Sequence, residues 1–80
     1  MLSHHEIDTH IRSIVVGLND LAASNDDARL SQCVEIDGKF RTLREQYGKE
    51  PATLAGRVQE LTALKMRFRD LLVERIVRIV

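Results

Sequence analysis

The residues of this chain that could bind a metal ion are concentrated near its start. His4, His5 and His10 stand beside Glu6 and Asp8, and imidazole and carboxylate groups are common zinc ligands. On a helix, His4 and Asp8 would lie one turn apart on one face, whereas His10 would point away from His5. Two ligands do not complete a tetrahedral zinc site. We therefore expect an exposed helix start here and no metal site.

The single cysteine, Cys33, could act as a nucleophile only if a neighbouring base lowered the pKa of its thiol. No histidine is near it in the sequence, and helical spacing places it on the same predicted seam as Leu30, Phe40 and Leu43. This position favours a small buried apolar side chain. The chain also has no glycine-rich phosphate loop and no Ser-His-Asp arrangement. We expect neither an enzyme nor a bound cofactor.

Basic residues in the last thirty positions raise the question of nucleic acid. Glu60, Asp70 and Glu74 are interspersed among them at helical spacing, and the net charge of the chain is zero. A phosphate-binding face is normally more basic and less interrupted. A dimeric helical nucleic-acid-binding regulator is therefore the alternative function, and nucleic acid is the disfavoured partner. The bases in question are Arg57, Lys65, Arg67, Arg69, Arg75 and Arg78.

Length and composition predict one small helical domain over residues 1–80. A chain of 80 residues buries a modest fraction of its surface, so its stability is marginal unless chains associate. A lone cysteine fits a reducing compartment. The sequence shows no signal peptide and no long apolar run. We expect a cytoplasmic protein with no membrane contact.

Ser3 and Glu6 have the spacing of a capping box, in which each side chain bonds a free backbone N–H at a helix start. Apolar residues then recur at steps of three and four, which predicts a first helix over 4–23. Its apolar stripe consists of Ile7, Ile11, Ile14, Val15, Leu18, Leu21 and Ala22.

A polar turn at 24–27 and a second helix over about 28–47 follow, with Gly48 as a left-handed stop. Within this predicted helix, residues 34–40 show a competing pattern. Asp37-Gly38 stands between short runs of alternating apolar and polar residues, which is typical of a β-hairpin with a two-residue turn. An isolated hairpin is marginal in water, so we prefer the helix although Gly38 costs it about 1 kcal/mol. The seam of this helix is predicted to be Leu30, Cys33, Ile36 or Asp37, Phe40, Leu43 and Tyr47.

Pro51 suits a first helical position, and the apolar stripe beyond it predicts a long C-terminal helix over 51–79. Short connections predict an up-down-up three-helix bundle or a helical hairpin with an extra helix. Thirty residues of helix would span about 45 Å, against about 30 Å for the first helix. We therefore expect the C-terminal end to extend beyond its neighbours.

The function is predicted from the aliphatic residues at the C-terminal end of the third helix. We expect a small helical protein–protein interaction module, an adaptor, chaperone-like or inhibitory protein, that binds a partner or its own copy, with a homo-oligomer favoured. Energy would come from aliphatic burial, and arginines would set orientation at a polar rim. The expected partner-binding residues are Phe68, Leu72, Val73, Ile76, Val77, Ile79, Arg69, Arg75 and Arg78.

The segment from Leu61 to Asp70 resembles the second helix of small bacterial helical-hairpin proteins of the YdcH type. In size and layout the chain is similar to small chaperones that hold secretion-system subunits. Neither similarity transfers a function or a role to any residue.

Overall fold

The computed structural model describes residues 2–23 and 30–79, with side chains as far as Glu74. No strand occurs in these two ranges, and the expected all-α three-helix fold is confirmed. The predicted turn at 24–27 and the predicted helix start near Ala28 lie outside the described residues. The elements are α1 at His4–Ala23, α2 at Leu30–Lys49, a 3-10 helix at Pro51–Leu54, and α3 at Val58–Ile79.

The start of α1 is closed by the predicted capping box. The Ser3 N–H donates to Glu6 Oε1 and the Glu6 N–H donates to Ser3 Oγ, each at 3.2 Å. The first of these bonds, together with the Ser3 hydroxyl, lowers the pKa of the Glu6 carboxyl because both favour its charged form. Two backbone donors at the helix start are thereby satisfied.

Helix α1 supplies half of the core and packs on both other helices. Its predicted stripe is confirmed except that Val15 is half-buried and Ala22 is exposed. Five large aliphatic residues one turn apart face inward because their spacing matches the helical period. These residues, each with no more than 2% of its surface exposed, are Ile7, Ile11, Ile14, Leu18 and Leu21.

Helices α1 and α2 are antiparallel and close together. The Gln32 side chain, near the start of α2, donates to the carbonyl oxygen of Gly17 at 3.2 Å. Lys39 of α2 also donates to the Ser13 hydroxyl. A Cβ atom on Gly17 would lie 3.1 Å from Cγ1 of Ile36, so a glycine at this position permits the close approach.

The segment 34–40 is helical, as preferred over the hairpin, because α2 runs through Asp37 and Gly38. Helix α2 also continues through Gly48 to Lys49. Among the described residues, Gly56 has a positive φ and Gly48 does not. The predicted left-handed stop at Gly48 is therefore wrong. Since Pro51 has no N–H to continue the α2 ladder, the chain turns into the 3-10 helix instead.

The predicted continuous helix over 51–79 is wrong in its first seven residues. Gly56 has a φ of 82°, which an α-helix does not contain, and Leu54 turns inward to only 1% exposure. Helix α3 therefore has 22 residues against 20 in each of α1 and α2. The length difference is about 3 Å instead of about 15 Å, so helix length no longer supports a long C-terminal overhang.

A buried glutamine joins the three segments at this end of the molecule. Gln46 is 4% exposed, and its Oε1 accepts the Leu2 N–H at 3.0 Å while its Nε2 donates to the Thr53 hydroxyl at 3.0 Å. Thr53 in turn donates to the Glu50 carbonyl oxygen at 2.7 Å. The network holds the 3-10 helix against α2 and the start of α1.

Candidate partner-binding site

An aromatic pair connects α2 and α3, and a groove lies between the two helices nearer the 3-10 helix. The rings of Phe40 and Phe68 stack with their centroids 5.8 Å apart and their planes at 26°. Between this pair and the 3-10 helix lies a groove of about 270 Å³ that opens to solvent. None of the lining residues belongs to α1, so the groove opens on the side of α2 and α3 that α1 does not cover.

The floor of the groove is apolar and its edges are polar. Leu43 and Leu54, both at most 2% exposed, form its deepest part. Leu61 and Phe40 are half-buried beside them. One edge consists of Asp37, Arg41 and Arg44 of α2. The other edge consists of Val58, Thr62 and Lys65 of α3, and Tyr47 also lines the groove.

The two edges continue as stripes along both helices. Val34 lies three residues before Asp37 and Leu30 lies seven before it, so both share the groove side of α2. Val73 lies three helical turns after Thr62 on α3. We define the α2–α3 face as the groove-lining residues together with Leu30, Val34, Arg69 and Val73.

Exposed apolar side chains are concentrated on the α2–α3 face. Of the seven large hydrophobic residues that are exposed in the described part of the chain, five belong to this face. Two of the five line the groove itself, and three lie on the stripes that continue its edges. The other two are Val16 on α1 and Met66 on α3. Exposed apolar patches of this kind mark interaction surfaces more often than chance would give. The five are Leu30 at 72%, Val34 at 65%, Val73 at 51%, Tyr47 at 47% and Val58 at 45%.

The charged groups on the groove edges are mostly basic. Arg41 pairs with Asp37 at 3.2 Å, four residues before it on α2. Within 2–23 and 30–79, no carboxylate forms an ion pair with Arg44 or Lys65, which stand on opposite edges. The groove therefore has an apolar floor between two uncompensated positive charges.

The expected contact residues of α3 divide into three groups. Phe68 is only 7% exposed and stacks on Phe40, so it belongs to the intramolecular core and is not free to contact a partner. Leu72 is half-buried against that core, whereas Arg69 and Val73 are exposed. The remaining expected contacts have side chains outside the described part of the structure. They are Arg75, Ile76, Val77, Arg78 and Ile79.

The carboxylates near the start of α1 are engaged in ion pairs. Asp8 accepts from Arg12 at 3.0 Å and from Arg57 at 3.4 Å, which joins α1 to the start of α3. Arg57 also donates to Glu60 at 2.8 Å, and this bond is the main cause that raises the pKa of Arg57. Among the described residues no group of histidine, cysteine and acidic side chains could hold a metal ion.

Cys33 is buried at 8% exposure, as expected for a small apolar side chain. The predicted seam of α2 is wrong at its two ends, because Leu30 and Tyr47 are exposed. The sequence reasoning missed the groove edges, since it assigned one apolar stripe to each helix. The spacing of Arg41 and Arg44 beside Phe40 and Tyr47 could have indicated a second face on α2.

Comparison with known proteins gives no relative for this chain. No protein-family model matches it. No curated protein matches its sequence, and no solved structure matches its fold, at a significant level. Within the described ranges, no helix is both long and apolar enough to cross a membrane.

Proposed function

We propose that this chain is a small helical protein–protein interaction module that binds another protein, or its own copy, through the α2–α3 face. The concentration of five exposed large hydrophobic residues on that face supports the proposal. An adaptor, chaperone-like or inhibitory role fits a chain of this size. We propose a cytoplasmic location, which the single buried cysteine supports because reduced thiols are typical of that compartment.

The partner would lie in the groove as an amphipathic helix. From Val58 to Val73 the face extends over sixteen helical residues, or about 22 Å, which is four turns of a partner helix. Its apolar side chains would cover Val58, Leu61 and Tyr47, and each fully buried one contributes about 1.5–3 kcal/mol. The partner would take the place of a fourth helix on the open side of α2 and α3.

The C-terminal residues remain part of this proposal as a continuation of the α3 stripe. Ile76 lies on the same side of α3 as Lys65 and Arg69 by helical spacing. Replacing Ile76 and Ile79 together by aspartate is therefore expected to abolish association and to leave α1 and α2 helical. Circular dichroism and sedimentation of the variant measure the two effects.

Site-specific photo-crosslinking tests the proposal. A benzophenone amino acid replaces Thr62, which lines the groove, or Ala63, an exposed neighbour that does not line it. We expect crosslinked products from position 62 and few from position 63 in cells that make the protein. A product of twice the 9.1 kDa mass in the purified sample would identify a second copy.

Equal yields from positions 62 and 63, or no product from either, would contradict the proposal. Equal yields would mean random collision. The absence of a product in both samples would mean that the face is not occupied.

A further inference from the structure

We propose that the occupant of the α2–α3 face is an amphipathic helix of a different protein, with acidic residues on both sides of its apolar stripe. This inference rests on the function proposed above and specifies the chemistry of the partner.

The charge of the groove supports an acidic partner. Three bases and one acid line it, although the whole chain has a net charge of zero. The acid, Asp37, is already paired with Arg41, so Arg44 and Lys65 remain for a partner. Electrostatic complementarity of this kind sets orientation and speeds encounter.

The position of the bases defines where the acids must be. Arg44 stands on the α2 edge and Lys65 on the α3 edge, with the apolar floor between them. Arg69 follows Lys65 by one turn and extends the α3 edge. A helix that fills the groove with its apolar stripe would place the flanking residues on each side opposite these bases. Glutamate or aspartate at both flanks fits them.

The same charges disfavour a second copy in this groove. In a two-fold symmetric dimer each copy presents the same surface to the other. The bases of one α2–α3 face would then oppose those of the next, and like charges at close range reduce affinity. A different protein with acidic flanks avoids this repulsion.

Nucleic acid is disfavoured by the groove floor. Phosphate contacts need bases that follow a backbone, whereas Arg44 and Lys65 are separated by buried leucine side chains. A duplex on this face would leave Leu61 and Tyr47 uncovered. The experiment below includes a duplex so that this outcome can be distinguished.

A displayed library of amphipathic helices of about 18 residues, about 27 Å long, tests the inference. The library fixes an apolar stripe and allows glutamate, lysine or glutamine at each flanking position. It is selected against the full-length chain, and the enriched peptides are then synthesised and titrated by fluorescence anisotropy. We expect enrichment of glutamate at both flanks, and affinity that falls as salt is raised through the physiological range.

Three variants locate the binding and identify its charge dependence. Arg44→Glu combined with Lys65→Glu is expected to weaken the acidic peptides by roughly tenfold or more, and to select lysine-flanked peptides instead. Arg67→Glu combined with Lys49→Glu is the matched control, because it changes the net charge by the same amount and both residues are exposed and do not line the groove. Thr62→Trp is expected to block binding, and Ala63→Trp to leave it unchanged. Circular dichroism verifies that each variant is helical.

The outcomes separate the inference from the proposed function. Peptides that Thr62→Trp blocks but whose flanks are neutral or basic would overturn the acidic partner and leave the helix-binding function standing. A library with no binder to the groove would overturn both. The chain could instead bind a 20-base-pair duplex and no peptide, with the charge reversal abolishing the duplex binding. This result would overturn both the acidic partner and the helix-binding function in favour of nucleic acid.

Discussion

The α1–α2 interface is closely packed, whereas the α2–α3 interface is partly open to solvent. Between α1 and α2 the helices approach so closely that a Cβ atom on Gly17 would lie 3.1 Å from the Ile36 side chain, and Ile14 and Leu18 have no exposed surface. Between α2 and α3 one stacked pair, Phe40 and Phe68, closes the contact, and a groove remains beside it. The first interface buries its apolar side chains completely, and the second leaves apolar surface exposed.

The polar groups show the same contrast. Gln46 is buried and has partners for both ends of its amide, which closes the end of the molecule. On the groove edges, Arg44 and Lys65 have no acidic partner within the described part of the chain. Satisfied buried groups specify a fold, whereas exposed charges without partners are available for recognition.

The largest expected effect tests whether stability resides on the α1 side. Leu18→Ala removes a side chain with no exposed surface and is expected to cost about 2–5 kcal/mol of unfolding free energy. Val58→Ala, in the groove, is expected to change it by less than about 0.5 kcal/mol. Urea denaturation followed by circular dichroism measures both. Equal losses for the two variants would show that the groove is part of the core.

Gln46→Ala tests the hydrogen-bond network at the end of the molecule where Leu2, α2 and the 3-10 helix meet. It leaves the Leu2 N–H without its acceptor and removes the amide that donates to the Thr53 hydroxyl, and we expect a loss of about 1–3 kcal/mol. Glu45→Ala is the control, because its side chain is exposed on the neighbouring position of α2. If the two alanine variants unfold at the same urea concentration, the network does not stabilise the fold.

Two glycine substitutions compare close packing with open surface. Gly38→Ala in the middle of α2 meets no atom within 4 Å and is expected to stabilise the chain by about 0.5–1 kcal/mol. Gly17→Ala places a Cβ 3.1 Å from Ile36, and the resulting strain of about 1–3 kcal/mol offsets the same gain. Thermal melts should therefore rank Gly38→Ala above Gly17→Ala. The reverse order would mean that the Ile36 side chain can shift aside at no cost.

The smallest expected effect concerns the capping box at the start of α1. The hydrogen bonds that the Glu6 carboxylate accepts from Ser3 lower the pKa of Glu6 below the ordinary 4.5. The bonded carboxylate therefore stabilises the fold above pH 4.5, and this contribution is lost as the pH falls through the lowered value. Glu6→Gln should be less stable than the wild type at pH 7 and equal to it at strongly acid pH. Glu35→Gln, on the exposed side of α2, is the control for the change in charge.

Helix positions were predictable where short-range signals dominate. The Ser3 and Glu6 pair and the regular stripe through Ile7, Ile11 and Ile14 placed α1 at His4–Ala23, as observed. The same periodicity correctly favoured a helix across Asp37-Gly38. The start of α3 was misplaced because Pro51 is equally suited to a 3-10 helix, and only the turn at Gly56 distinguishes the two.

The candidate site was predictable only in part. Val73 and Arg69 were expected on the surface, and both are exposed. Phe68 was expected there too, yet its ring stacks on Phe40 because α2 and α3 meet at that level. An apolar residue has the same appearance in a sequence whether another helix of the same chain or a partner covers it.

The sequence by itself determined the helical class, the buried face of α1 and the position of its cap, because each depends on residues within one or two turns. The tertiary structure decided which faces of α2 and α3 stay open. That choice depends on how α1 packs against both helices, and it involves residues far apart in the chain, such as Arg44 and Lys65. Local spacing carries no information about such a pairing, so the groove and its charge emerge only when the helices are assembled.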